Sequence, residues 1–226
     1  MIRRWALRAG RHVDACVADA HASEVFTLAM CAARLASAGA DRCIRLWRAD
    51  DLHPLGTLGS DAPGASLFAI ARIGPPADGE HLAAAGADGA LRVWDVERAV
   101  VVRANRAEHV AMCALCHVDD AHVLVGGGAD GTLRLLDARL SGAGRPAAGA
   151  TCRAHPSGVL ALCHVDDRPR GTYVFSASAS GEVGCWRLAP SPPTDLPPRA
   201  TDDHAVLRGH VGCVWALAAS GDHIFS

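Results

Sequence analysis

The sequence predicts an all-β repeat protein built from four-stranded units. Three observations lead to this prediction. A short segment containing Gly-Ala-Asp recurs along the chain, and its copies end 42 to 50 residues apart. No stretch of about 10–12 residues shows the 3.6-residue apolar period of a helix. Half of the 226 residues are apolar, which is enough for a packed core. Repeats of about 40–45 residues with strand chemistry indicate the blades of a propeller.

The recurring segment combines a tight turn with an alternating apolar run. Its four copies are Gly39–Trp47, Gly86–Trp94, Gly128–Leu136 and Ser178–Trp186. A small-residue turn between two aliphatic or β-branched runs is typical of a β-hairpin. Upstream lies another apolar run led by a histidine, and downstream come a polar loop and one further short run. We therefore expect four strands in each unit.

These residues make the chain resemble the WD-repeat family along its whole length, from Ile2 to Ser226. The resemblance implies a WD-repeat β-propeller whose blades contain a structural tetrad, a buried hydrogen-bond chain. The tetrad is complete in one unit, as His21, Ser37, Asp41 and Trp47. It is partial elsewhere, as Asp88 and Trp94; His109 and Asp130; His155, Ser176 and Trp186; and His210 and Ser226. The remaining slots hold Ala84, Gly126, Leu136 and Ser180.

The repeat predicts one propeller domain over 1–226, with four complete blades and two partial ones. The complete blades are 21–61, 62–106, 107–150 and 151–206, and a proline-rich insertion at 189–200 interrupts the last of them. Residues 1–20 are predicted to be the third and fourth strands of a first partial blade, and residues 207–226 the first and second strands of a last one.

Two arrangements of the partial blades follow. Either they pair and close a five-blade ring, or the chain is part of a longer propeller with the seven blades usual in the family. We favour the second arrangement, because a terminus inside a tight hairpin is unusual.

Composition and charge exclude several classes of function. The formal net charge is −2, all 22 positive charges are arginine, and no basic stripe appears, so nucleic acid is not an expected ligand. No apolar run approaches the roughly 20 residues of a membrane helix. Nine scattered cysteines favour free thiols in a reducing compartment, and we expect a cytoplasmic protein, with the nucleus as the alternative. The arginines of residues 1–13 resemble a transit peptide weakly, but a β-strand accounts for the same residues.

Two groups of residues have the composition of chemical sites. His21, Ser37 and Asp41 are the residue types of a nucleophilic triad, but the resemblance places them in a buried chain, whereas a catalytic serine must face substrate. Cys113, Cys116 and His117 match a haem-attachment pattern. However, positions three apart in a strand face opposite sides, and no second cysteine pair completes a zinc site. We expect no catalytic residue, no metal and no cofactor.

The sequence therefore predicts a non-catalytic scaffold that binds other proteins through its loops. One alternative is a substrate-recognition module of a ubiquitin ligase. Leu136–Arg139 is a degenerate adaptor-docking element, with Asp137 and Arg139 as the candidate contacts. Another alternative is an enzyme with its active site in the propeller channel.

Overall fold

A computed structural model describes residues 1–5, 13–17, 19–59, 65–74, 80–106, 110–118, 123–138, 150–167, 171–188, 200–221 and 223–226. These residues form twenty β-strands and no helix. In chain order the strands are β1 (Ile2–Trp5), β2 (Val13–Val17), β3 (Val25–Cys31), β4 (Arg34–Gly39), β5 (Ile44–Arg48), β6 (Pro54–Leu58), β7 (Leu67–Ile73), β8 (His81–Gly86), β9 (Ala90–Asp95), β10 (Val100–Arg106), β11 (Met112–Val118), β12 (Val123–Gly128), β13 (Thr132–Asp137), β14 (Ala150–Arg153), β15 (Val159–Asp167), β16 (Gly171–Ser178), β17 (Glu182–Leu188), β18 (Ala200–Arg208), β19 (Ala218–Ser220) and β20 (His223–Phe225).

The strands form four antiparallel sheets of four strands each, which we number in chain order. Sheet 1 is β3–β6, sheet 2 is β7–β10, sheet 3 is β11–β14 and sheet 4 is β15–β18. Within each sheet, every strand pairs with its neighbours in the chain. Strands β1 and β2 form a two-stranded N-terminal pair, and β19 and β20 a C-terminal pair. The all-β class and the four complete units predicted from the repeat are confirmed.

The turn between the second and third strands has the same geometry in all four sheets. In sheet 2 the N–H of Gly89 donates to the carbonyl of Gly86 at 3.1 Å, and Gly89 has a φ of 68°. Gly131 and Gly181 hold the same position with φ values of 83° and 85°, whereas sheet 1 has Arg42 at 69°. A residue in the left-handed region after a tight turn is typical of a three-residue hairpin loop.

The turn glycine also lies close to the next sheet. The backbone N–H groups of Ala154 and His155 donate to the carbonyl of Gly131, both at 3.0 Å. A Cβ on Gly131 would lie 2.3 Å from the carbonyl oxygen of His155, and one on Gly89 would lie 2.4 Å from that of Val110. The glycine therefore permits both the backbone conformation and the close approach of the next sheet.

Apolar side chains are buried between successive sheets. Ile44 and Leu82 lie between sheets 1 and 2, and Val125 and Val159 between sheets 3 and 4. Met112 joins the cluster between sheets 2 and 3. The first strands of neighbouring sheets contact one another, from β3 through β7 and β11 to β15. The four sheets therefore pack face to face with their first strands on the same side.

The two end pairs pack on the sheets beside them. Ile2 of the N-terminal pair is buried with Trp47 of sheet 1. Strand β19 contacts β15 of sheet 4, and Val214, in the segment before β19, is buried against Ala177 and Val183 of the same sheet. Among the described residues, no strand pairing joins the N-terminal pair to the C-terminal pair. The closed five-blade ring is therefore not present in the observed pairing.

The strands near the end of the chain differ from the sequence expectation. Strand β18 runs to Arg208, beyond the boundary expected at 206, and β19 begins only at Ala218. Residues 209–217, expected in a first strand, lie outside the strands. Pairing between β19 and β20 covers three residues, and Trp215 is 73% exposed. An isolated pair of strands is only marginally stable, which accounts for the short pairing between β19 and β20. Residues 189–199 of the predicted proline-rich insertion lie outside the described residues.

Candidate functional site

The four predicted tetrad residues of sheet 1 lie in one hydrogen-bond chain. Trp47 Nε1 donates to Ser37 Oγ at 2.8 Å, and Ser37 Oγ lies 2.7 Å from His21 Nε2. His21 Nδ1 lies 2.8 Å from Asp41 Oδ1. Since an indole N–H only donates and a carboxylate only accepts, a consistent direction runs from Trp47 through Ser37 and His21 to Asp41. The imidazole then carries its proton on Nδ1.

Asp41 connects this chain to the backbone around it. Its carboxylate accepts from the N–H groups of Ala22, before β3, and of Cys43, in the hairpin turn, at 3.2 and 3.3 Å. Burial on its own would raise the pKa of Asp41, but the hydrogen bonds from His21, Ala22 and Cys43 lower it, and the net direction is down. The charged carboxylate therefore fastens the turn to the loop that precedes the sheet.

Sheet 4 contains the same three-residue chain. Trp186 Nε1 donates to Ser176 Oγ at 2.8 Å, and Ser176 Oγ lies 2.7 Å from His155 Nε2. Ser180 occupies the aspartate slot, and its hydroxyl lies 2.6 Å from Ser178 Oγ. The histidine, the serine and the tryptophan of this chain are thus the same in sheets 1 and 4.

The far side of His155 differs from that of His21. Within the described part of the chain, His155 Nδ1 is buried and has no hydrogen-bond partner, and the carboxylate of Glu182 lies 4.0 Å away. Glu182 itself accepts from Arg208 Nε at 3.1 Å. Burial lowers the pKa of His155, and Glu182 offsets this only in part, so the net direction is down. His155 therefore stays neutral near neutral pH.

Sheets 2 and 3 hold only parts of the predicted chain. In sheet 2, Trp94 is buried, and Asp88 accepts from Arg92 at 2.7 Å. In sheet 3, a Cβ on Gly126 would lie 2.6 Å from Met112 Sδ, so the methionine fills the room that a serine would need. Asp130 accepts from the hydroxyl of Thr132 within its own turn.

The remaining predicted residues are placed as follows. His210 Nε2 lies 2.6 Å from Ser226 Oγ, and both residues are exposed. His109 lies outside the described residues, as does Arg139. The backbone of Asp137 pairs with Val123 at the end of β13. Adaptor docking through Asp137 and Arg139 therefore stays a prediction.

Three sheets share an ion pair that our sequence analysis missed. An arginine lies four residues after the turn aspartate, and its guanidinium approaches the carboxylate in Arg45–Asp41 (3.5 Å), Arg92–Asp88 (2.7 Å) and Arg134–Asp130 (3.8 Å). In sheet 4, Ser180 and Gly184 replace both partners together. The fixed four-residue spacing in three copies was a signal from which the pairs could have been predicted.

The geometry around Ser37 limits what its chain can do chemically. Ser37 has no exposed surface, and its oxygen already contacts both His21 and Trp47. A substrate carbonyl therefore has no path to this hydroxyl, and the chain can only tie strands together.

The cysteine pattern falls within one strand. Cys113 and Cys116 both lie in β11, the first half-buried and the second buried, in an alternating pattern. In the part of the chain that the structure describes, no group of three His, Cys, Asp or Glu residues could hold a metal. All nine cysteines are described, and none of them forms a disulfide. The described residues also contain no helix that is both long and apolar enough to cross a membrane.

Consecutive four-stranded antiparallel sheets, packed face to face and tied by buried His–Ser–Trp chains, define a repeat protein of the β-propeller class. The family model of the WD domain, G-beta repeat, matches residues 15–48 and 54–95, which cover sheet 1 and the first part of sheet 2. These two stretches are similar to the WD repeat that the family model describes.

Solved structures share the fold. Among 1190 matching chains is the crystal structure of the computationally designed Ika8 protein. It has a TM-score of 0.62 and 22% sequence identity over 90% of this chain. The aligned region is 55% of Ika8, so the chain spans about half the length of that protein. At this identity the likeness shows the fold alone. No curated protein matches the sequence.

Proposed function

We propose that the protein is a non-catalytic scaffold that binds another protein through apolar side chains exposed on sheet 1. WD-repeat proteins are in general protein-interaction scaffolds. The fold alone does not identify a binding surface, so the surface must be argued from particular residues. The observation that carries the proposal is a row of large apolar side chains on β3.

This row consists of Phe26, Leu28 and Met30, which are 49%, 51% and 55% exposed. Single exposed apolar residues are ordinary, but neighbouring ones on a strand form a patch of the kind that marks interaction sites. Phe26 extends the patch to Phe68 of sheet 2, with the rings edge to face and their centroids 5.6 Å apart.

The patch lies on the open half of a partly covered sheet face. Met30 pairs with Leu35 across the strands, so both side chains point to the same face of sheet 1. On that face the N-terminal pair packs against Leu35 and Trp47, which lie on the second and third strands. Leu28 and Met30 lie on the first strand and remain exposed. The partner we propose is a protein segment that presents large apolar side chains to this half.

A charge-insertion experiment tests the surface. The double variant L28E/M30E removes two apolar side chains from the patch. The matched control V100E/V102E changes two residues on β10 that are 48% and 45% exposed. We expect wild type and control to capture the same protein, and L28E/M30E to bind it at least about tenfold more weakly. This is about 1.4 kcal/mol of binding free energy. Calorimetry with the purified partner measures the difference.

Equal binding of that partner to all three proteins would contradict the proposed surface. The proposed surface would also be contradicted if no captured protein bound the control more tightly than it bound L28E/M30E.

We also propose a cytoplasmic or nuclear location. Nine cysteines without a disulfide support a reducing compartment, because disulfides form readily in oxidising ones. Microscopy of a fluorescent fusion tests this, and an exclusively secreted fusion would contradict it.

A further inference from the structure

A thiol and an imidazole meet between sheets 3 and 4. Cys116 Sγ on β11 lies 3.4 Å from His164 Nδ1 on β15, although the residues are 48 positions apart in the chain. A sulfur and a ring nitrogen at this distance can share the thiol proton. Neither residue takes part in the tetrad chains, and neither lies on the apolar patch of β3.

A carboxylate stands behind the imidazole. His164 Nε2 lies 4.0 Å from Asp166 Oδ2, two residues further along the same strand and thus on the same face. Asp166 Oδ1 accepts from the hydroxyl of Thr172 at 2.7 Å, which fixes the orientation of the carboxylate. The order thiol, imidazole, carboxylate is the one that activates nucleophilic cysteines.

The surroundings of this group are apolar on the inner side and open on the other. The cross-strand neighbours of Cys116 and His164 are Val125 and Val174, and both valines are buried. Cys116 from β11 and Asp166 from its own strand are titratable groups that face His164. Cys116 is 8% exposed, whereas the side chains of His164 and Asp166 are 30% and 34% exposed. A small molecule can therefore approach from the side of the imidazole.

We propose that Cys116 is a covalent binding site for small α,β-unsaturated carbonyl compounds, with His164 as its base. The thiol proton moves from Sγ to Nδ1 of His164. The sulfur then forms a bond to the β-carbon, the π electrons of the double bond move toward the carbonyl, and the imidazolium returns the proton to the α-carbon. The product is a thioether, and the addition consumes no further reactant. Asp166 stabilises the imidazolium between the two proton transfers.

The neighbouring Cys163 provides an internal control. It lies next to His164 on β15, so its side chain points to the opposite face of the strand. Burial raises the pKa of the Cys163 thiol to about 11. Cys163 is nevertheless more exposed than Cys116. Accessibility alone therefore predicts faster modification of Cys163, and our proposal predicts the reverse.

The experiment treats the native full chain with acrylamide, a small member of the proposed class, at neutral pH. Mass spectrometry of digests follows the labelling of each cysteine over time. We expect Cys116 to react about tenfold faster than Cys163. The variant His164→Gln should slow Cys116 about tenfold, shift the pH dependence of its labelling upward and leave Cys163 within about twofold. Asp166→Asn should slow Cys116 about two- to threefold.

A wild-type ratio of one or less contradicts the proposal without any variant, whereas a higher ratio must also fall in His164→Gln, because the raised pKa of Cys163 slows that thiol by itself. If Cys116 reacts no faster than Cys163, the proposal is wrong. It is also wrong if His164→Gln leaves the rate at Cys116 unchanged. The labelling needs no protein partner, so its failure would leave the proposed scaffold function untouched.

Discussion

Sheets 1 and 4 bury the same histidine, serine and tryptophan in chains with matching distances of 2.7 and 2.8 Å. Sheet 1 ends its chain on Asp41, whereas sheet 4 leaves the last nitrogen of His155 without an acceptor among the described residues. The comparison shows that the three-residue chain forms without a carboxylate. The carboxylate has a separate role, which is to fasten the turn to the preceding loop through Ala22 and Cys43.

Sheet 4 fastens its turn with hydroxyl groups. Ser178 Oγ accepts from the N–H of Ser180 at 2.9 Å and lies 3.2 Å from Ser157 Oγ in the loop before β15. Neutral hydroxyls thus connect the same segments that a charged group connects in sheet 1. The two designs should therefore differ in the strength of this connection and in its response to pH.

Loss of either tryptophan should have the largest effect, and it should be similar in the two sheets. Trp47 and Trp186 are 4% and 6% exposed, and each donates to its serine at 2.8 Å. We expect Trp47→Ala and Trp186→Ala each to lower the free energy of unfolding by about 3–5 kcal/mol through cavity formation. Urea denaturation measures this, with the exposed Trp215→Ala as the control. A denaturation midpoint unchanged by Trp47→Ala would contradict its place in the core.

Removal of the carboxylate in sheet 1 should have the next largest effect. Asp41→Ala leaves the N–H groups of His21, Ala22 and Cys43 without their acceptor. We expect a loss of about 1–3 kcal/mol in the free energy of unfolding. Asp50→Ala, at an exposed turn position of the same sheet, should leave the midpoint unchanged. Equal midpoints for the two variants would show that the carboxylate does not fasten the turn.

Addition of a carboxylate to sheet 4 should have the opposite and smaller effect. Ser180→Asp introduces an acceptor at the slot that Asp41 occupies in sheet 1, where it can reach His155 Nδ1. We expect Ser180→Asp to raise the free energy of unfolding by about 0.5–1.5 kcal/mol. The same substitution in a His155→Gln background should lose most of that gain. If Ser180→Asp raises the free energy of unfolding equally in wild type and in His155→Gln, the gain does not come from a hydrogen bond to His155.

The smallest expected difference between the two sheets is in the pH dependence of their contributions to stability. The folded-state pKa of His155 lies below its ordinary value of 6.5 because burial disfavours the charged form. As the pH falls below about 6.5, the unfolded chain takes up this proton before the folded chain does, so stability declines. The pKa of Asp41 is lowered from 3.8, so its contribution is present above that value and lost only in stronger acid.

Denaturation at a series of pH values measures both windows. His155→Gln should flatten the decline that begins near pH 6.5, and Asp41→Ala should leave it in place. If His155→Gln does not change the slope there, the buried histidine does not govern this window.

The repeat made the sheets and the His–Ser–Trp chains predictable, because their residues stand at fixed offsets from the hairpin turn. The irregular start of each first strand could not be predicted in this way. Strand pairing shifts register between Met112 and Ala114, and at the matching point of the other three sheets. Such a bulge changes which face a side chain takes, so the packing of Met112 under Gly126 could not be read from spacing.

The contact of Cys116 with His164 was hidden for a different reason. Each residue lies beyond the register shift at the start of its strand, and the contact forms between two sheets. No local pattern reports the distance or stagger between neighbouring sheets. The same holds for Glu182 near His155, since its approach depends on how the turn of sheet 4 meets the loop before it.

The turn glycines limit how the repeat units of this chain can be duplicated or rearranged. Because Gly89 and Gly131 lie close to a carbonyl in the loop before the following sheet, each of these hairpins fits the start of the next unit as well as its own sheet. A duplicated segment that includes the loop after its own sheet would carry Gly131 together with the carbonyl of His155. A duplication that replaced Gly89 or Gly131 with a larger residue would bring the Cβ of that residue within 2.4 Å of the facing carbonyl oxygen. The segment that fits together as one unit therefore extends past the four-stranded sheet into the loop that follows it.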